Sequence, residues 1–168
     1  MQKVMVIGCP GSGKSTFSRA LRDRTGLPLY YLDMLYWNAD KTIVPKEIFR
    51  ARLAKILETD AFIIDGNYNS TMEMRLLACD TVFFLDYPLD VCLDGVRARI
   101  SKPREDMPWI ETEFDPEFME YIKQFAVENR PKILTLLEKY PHVKVFTFTS
   151  RAQADAYLNT INTGDETP

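Results

Sequence analysis

Residues 8–16 read Gly8-Cys9-Pro10-Gly11-Ser12-Gly13-Lys14-Ser15-Thr16. Every fixed position of the phosphate-binding pattern G-x-x-x-x-G-K-[ST] is filled. Gly8, Gly11 and Gly13 allow a tight turn that points backbone N–H groups inward at a polyphosphate. Lys14 brings a mobile positive charge to the β- and γ-phosphates. Ser15 supplies a hard oxygen suited to Mg²⁺. Thr16 begins a helix whose N-terminal dipole favours the same anion. The stretch is read as a nucleotide-binding loop.

Its flanks agree. Lys3 to Ile7 is a short apolar run of the kind a buried strand shows. From Ser15 to Arg24, Phe17, Ala20 and Leu21 share one side of a helical pattern that Gly26 stops. Outward from there, strand and helix alternate. Strands are expected at 29–32, 61–64, 81–85 and 143–148, with helices at about 45–59, 70–78, 88–100 and 153–161. Residues 34–45 read as an irregular aromatic segment, and a long helical stretch precedes 143 with a break near Pro131. Continuous apolar strands rich in Val, Ile and Phe imply a parallel sheet covered on both faces. The expected fold is α/β and three-layered, a five-stranded parallel sheet in one domain over 1–168. Residues 101–116, polar and without periodicity, are set apart as a small lid.

Active groups in such a sheet gather at the carboxyl ends of the strands. Asp33, Asp65 and Asp86 each follow a strand. Each reads equally as a cap or turn residue, but three of them beside a phosphate loop point to a role on metal or substrate for at least one. Four cations, Arg97, Arg99, Lys102 and Arg104, cluster at the entry to the lid. Tyr30, Tyr31, Tyr36, Trp37 and Tyr68 form an aromatic group that either stacks on an acceptor or packs inward; Trp37, beside Asp33, is the expected acceptor contact. Trp109, inside the lid, is read as packing it shut.

Composition excludes several classes. The chain has 168 residues, 46% of them apolar and 27% charged, with a net charge of −3. An acidic balance without a DNA-reading motif argues against direct DNA binding. One histidine, His142, leaves nothing from which to build a zinc site or a histidine-based triad. The three cysteines, Cys9, Cys79 and Cys92, lack metal-ligand spacing and suit a reducing compartment. No apolar run approaches a membrane span. With a strand starting at once and no signal peptide expected, the reading is cytoplasmic.

On these residues the chain resembles the adenylate-kinase-like branch of P-loop kinases. It is most similar to the small bacterial proteins known as DNA topology modulation proteins. The resemblance rests on GCPGSGKST at 8–16, YYLDMLYW at 30–37, IIDGNY at 63–68, RLLACDTVFFLDYP at 75–88, and the stretch from Arg97 through DMPW at 106–109. NRPKIL at 129–134 and TSR at 149–151 also fit. It implies a P-loop NTPase fold, with Gly8 to Thr16 holding ATP and with Ser15 and Asp65 holding Mg²⁺, Asp65 through water. It places Arg75 on the acceptor side, Arg99 at the lid entry, Arg104 in the lid and Arg130 on the helix after it, the last three closing over the transferring group. Asp33 departs from the adenylate kinases, whose anionic acceptor needs no base. Small-molecule kinases of the branch that act on hydroxyls often carry an aspartate there. Asn67-Tyr68 replaces the proline-arginine turn. Both departures argue against AMP as acceptor.

The leading expectation is an ATP-dependent phosphotransferase acting on a nucleoside, nucleotide or other small acceptor, with Lys14, Asp33, Arg99, Arg104 and Arg130 as the catalytic set and Asp33, Trp37 and Arg75 on the acceptor. The alternatives are a nucleotide-dependent regulator of DNA topology or expression, and an NTPase switch without an acceptor.

Overall fold

A computed structural model describes residues 1–113 and 115–161. The order is β1 (Lys3–Gly8), α1 (Lys14–Thr25), β2 (Leu29–Tyr31), α2 (Leu32–Tyr36), α3 (Lys46–Leu57), β3 (Phe62–Asp65), α4 (Asn69–Ala78), β4 (Thr81–Leu85), α5 (Leu89–Arg97), α6 (Pro116–Glu128), α7 (Arg130–Lys139), β5 (Lys144–Phe148) and α8 (Arg151–Leu158). The sheet has five strands in the order β2-β3-β1-β4-β5, every pair parallel. This is the P-loop NTPase α/β fold. Register brings Gly8, Tyr31, Asp65, Leu85 and Phe148 to one end of the sheet.

β1 lies at the centre, and Val4, Met5, Val6 and Ile7 have no exposed surface, so both faces are covered, as a parallel sheet requires. α1 packs against β1, β2 and β3 and touches α8. There Phe17 meets Phe83 at 5.0 Å and Phe148 at 5.9 Å between ring centroids, and Tyr157 closes the group. Local signals set the helix ends. Gly26 adopts φ 70° and returns its N–H to Arg22, while Arg22 and Arg24 complement the dipole in the last turn of α1. Asp115 caps α6 by accepting from the N–H groups of Glu117 and Phe118, with Pro116 following it.

Two expectations are corrected. β2 ends at Tyr31, and the chain becomes helical at Leu32, so Asp33 sits in the first turn of α2 rather than at a strand tip. Residues 34–45 therefore hold part of a helix, followed by an antiparallel bridge between Trp37 and Ile43. The break expected near Pro131 is present, at Asn129, and Pro131 lies in the first turn of α7, where its missing N–H has no partner to lose.

Candidate active site

The loop between β1 and α1 is held from several sides. The Asn67 side chain clamps Gly8, accepting from its N–H at 3.0 Å and donating to its carbonyl at 2.7 Å. Gly11, at φ 83°, lies against α5 so closely that an added Cβ would come within 2.0 Å of the Cys92 carbonyl oxygen. A Cβ on Gly95 would approach the Gly11 carbonyl equally closely. Lys14 folds back, its Nζ donating to the carbonyls of Gly8 at 3.0 Å and Cys9 at 3.2 Å. Cys9 itself is buried on the far side of the loop, its thiol turned toward the Ile122 carbonyl. A hydrogen bond with Cys92 and then burial push that thiol up, which keeps it protonated.

Two cavities open on either side of this loop. The smaller, 510 Å³, is lined by Gly11 to Thr16, Gly95, Ala98 to Arg99, Lys102 to Arg104 and the start of α8 at Arg151. The larger, 1130 Å³, runs from Pro10, Lys14 and Ser15 past Asp33, Trp37 and Asp65 to Tyr68, Asp106, Trp109, Glu111 and Phe118. Five residues line both: Lys14, Ser15, Arg99, Arg104 and Asp106.

The seam is polar and tightly bonded. Ser15 Oγ donates to Asp106 Oδ2 at 2.7 Å. Arg104 grips Asp106 through Nε at 3.2 Å and Nη2 at 3.0 Å, and Glu111 through Nη1 at 2.8 Å. Arg99 Nη2 donates to Glu111 Oε1 at 2.9 Å. Its Nε lies 2.8 Å from Oε2, but is too misaligned to count as a hydrogen bond, and among the described residues it meets no other acceptor. Stacking of the Arg99 guanidinium on Phe118, 5.4 Å from the ring centroid, steadies it.

Beneath the seam lie two carboxyl groups. Asp65 is 5% exposed. Burial pushes its pKa up to about 7 against the opposing pull of Lys14 and the Ser15 hydroxyl. Asp33 is also raised, chiefly by burial, although it accepts a hydrogen bond of 2.6 Å from the Tyr68 hydroxyl. Tyr68 holds a left-handed backbone at φ 38°, which costs a bulky residue roughly 1–3 kcal/mol. Arg75 helps hold it there. That side chain is fully buried and donates to the carbonyls of Gly66 (2.8 Å), Asn67, Tyr68 (3.2 Å) and Thr71 (3.4 Å).

The remaining predicted residues divide. Trp37 lines the larger cavity, and Trp109 meets it edge to face at 5.4 Å. Arg75 does not reach the acceptor side; it lies under the loop 66–68 and shapes it from below. Arg130 is not at the seam either. Its guanidinium grips Asp86 through contacts of 2.8–3.0 Å beside a separate 400 Å³ hollow behind Cys9. Asp86 is thereby a structural partner. Arg97 meets Asp94 at 2.8 Å on α5 and lines neither of the two large cavities. Asp106, Glu111, Asn67 and Gly95 went unassigned in the sequence. Asp106 and Glu111 lie in the aperiodic stretch that the sequence reading set apart, whereas Gly95, a lone glycine inside a helical pattern, was a visible signal of close backbone approach.

Among the described residues no helix is long and apolar enough to cross a membrane. No family model matches the chain, and no curated protein matches it in sequence. Solved structures do. The shikimate kinase of Bacteroides thetaiotaomicron is 20% identical, with a TM-score of 0.61 and 94% of each chain covered. The shikimate kinase of Acinetobacter baumannii, solved in complex with shikimate, is 16% identical, with a TM-score of 0.60, covering 99% of this chain and 96% of its own. At these identities the likeness establishes the shared fold.

Proposed function

We propose that this protein is an ATP-dependent kinase that transfers the γ-phosphoryl group to a hydroxyl of a small molecule, with Mg²⁺ as its cofactor. The observation that carries the reading is the meeting of two cavities at Lys14, Ser15, Arg99, Arg104 and Asp106. A phosphoryl transfer needs two substrates whose reacting ends converge on a charged point. A nucleotide in the smaller cavity and an acceptor in the larger one would meet there. The likeness to shikimate kinases supports the same class, and the A. baumannii enzyme was solved in complex with shikimate. Kinship to the topology modulation proteins rests on the motifs alone, and nothing in the site favours a DNA-directed role.

Each residue has a part. The loop amides and Lys14 take the β- and γ-phosphate oxygens, and Arg99 and Arg104 spread the charge of the transferring group. Asp33, oriented by Tyr68, accepts the acceptor's proton. The acceptor oxygen bonds to the γ-phosphorus, and the bond to the β–γ bridging oxygen breaks. Its electron pair leaves with ADP, and the hydroxyl proton passes to the Asp33 carboxylate. The raised pKa of Asp33 suits a base.

The residues present fit Mg²⁺. Ser15 and Asp65 offer hard oxygens beside Lys14, yet among the described residues no group of three or more His, Cys, Asp or Glu side chains forms a cage. Mg²⁺ keeps several waters and shares substrate phosphates, so it needs no cage. When bound with ATP it neutralises charge on the phosphate oxygens.

The test is ADP release measured with and without candidate acceptors. The right acceptor is expected to raise turnover at least about tenfold, and Lys14→Ala to abolish it. ADP release at one rate whatever is added would contradict the reading.

A further inference from the structure

The charges of the larger cavity narrow the acceptor, on the premise that the kinase reading holds. Its cationic side chains among the described residues are Lys14, Lys41, Arg99 and Arg104. Arg99 and Arg104 are paired with Glu111 and Asp106, and they sit at the phosphate seam. Lys14 is tied to the loop carbonyls. That leaves Lys41 at the acceptor end, where its ammonium stands 6.0 Å from the centroid of the Trp109 ring. Against it the wall carries Asp33, Asp65, Glu113 and Asp115. A carboxylate or phosphate ester on the acceptor would lose its water beside acidic side chains, with both guanidinium groups of the wall already bonded to Glu111 and Asp106, an unfavourable exchange.

The same wall offers aromatic surface. Tyr36 packs on Tyr68 with centroids 4.7 Å apart and edge to face on Trp37 at 5.1 Å. Trp109, from the lid, completes the row against Trp37. All four rings line the cavity and are only partly buried, so they leave surface on which a flat ring can lie.

We infer that the acceptor is an uncharged, ring-bearing alcohol, of which a nucleoside is the type. Its ring lies against Trp37 and Trp109, and its hydroxyl faces Asp33. The two tryptophans of the chain both line this cavity, so their fluorescence reports acceptor binding without any need for turnover. The full chain is titrated with adenosine, uridine, their 5′-monophosphates, shikimate and choline. A nucleoside is expected to change the emission saturably and to bind at least about tenfold more tightly than its own monophosphate. Trp37→Ala lowers that affinity about tenfold, the loss falling on the acceptor rather than on ATP. Glu111→Gln, which takes the carboxylate partner from Arg99 while Asp106 still holds Arg104, narrows the gap between nucleoside and monophosphate. Tighter binding of a monophosphate, of shikimate or of choline than of every nucleoside overturns the inference. So does the absence of nucleoside binding at millimolar concentration. A nucleoside that binds but never receives phosphate would leave this inference standing and remove the kinase reading.

Discussion

Asp65 is buried and Asp33 half-buried, both carboxyl groups have raised pKa values, and their surroundings differ. Asp33 has a donor aimed at it, the Tyr68 hydroxyl at 2.6 Å, which favours its charged form and opposes the effect of burial. Tyr68→Phe removes that donor. The pKa of Asp33 then rises further, and the acid limb of the pH–rate profile moves to higher pH. Asp33→Asn is expected to lose about 10²–10⁴ in turnover while ATP still binds; a profile unmoved in the Phe variant would separate Tyr68 from the base. Asp65 gives a stability prediction. Its carboxyl keeps its proton in the folded chain up to about pH 7, whereas unfolded it loses it near pH ~4. The stability linked to that proton is complete below the unfolded value and lost as pH rises through the folded one. Asp65→Asn removes the slope. Above pH ~7 its melting temperature should exceed the parent's by roughly 3–6 °C, about 1–2 kcal/mol for a chain of this size. Parallel curves for parent and variant from pH ~4 to pH ~8 would contradict the assignment.

At the scale of elements, the phosphate loop depends on neighbours far away in sequence. Asn67 holds its first glycine, and Arg75 fixes Asn67 from beneath. α5 supports it through the Gly11–Gly95 approach. Gly95→Ala would favour helix α5 by up to about 1 kcal/mol on propensity alone, yet its Cβ would stand 2.0 Å from a backbone oxygen of the loop. ATP affinity should therefore fall at least about tenfold in calorimetry, with α-helical content kept; parent-like affinity would show that the contact gives way freely. The same contrast explains how much was legible beforehand. Alternating apolar runs and a filled phosphate motif are local signals, and they yielded every strand and the parallel sheet. Side-chain partnerships are not local. Arg130 finds Asp86 across 44 positions, and Ser15 finds Asp106 across 91, so a motif-based reading set Arg130 at the seam and passed over Asp106. Arg75 misled for another reason: an arginine beside a substrate-binding turn can equally be the buried post that shapes it. Asp33 lines the larger cavity beside the loop, placed there by the helix beginning at Leu32 rather than by a strand tip.

For the whole molecule, the sheet order matters because it sets β1 between β3 and β4. The loop after β1 thus stands between the cavity reaching toward Asp33 and the one reaching toward α8. The segment after α5 joins them, since Arg104 and Asp106 belong to both walls while Trp109 and Glu111 face the larger. The Ser15–Asp106 hydrogen bond ties this segment to the phosphate loop; in the kinase proposed above, it would couple closure of the segment to occupancy of the seam and keep water from the γ-phosphate. The most direct measurement is phosphorus NMR of the protein incubated with ATP, Mg²⁺ and the uncharged ring-bearing alcohols. A new phosphate-ester resonance growing in step with ADP, absent for Lys14→Ala, is the predicted result. ADP accompanied only by inorganic phosphate, at a rate indifferent to every added alcohol, would contradict the account.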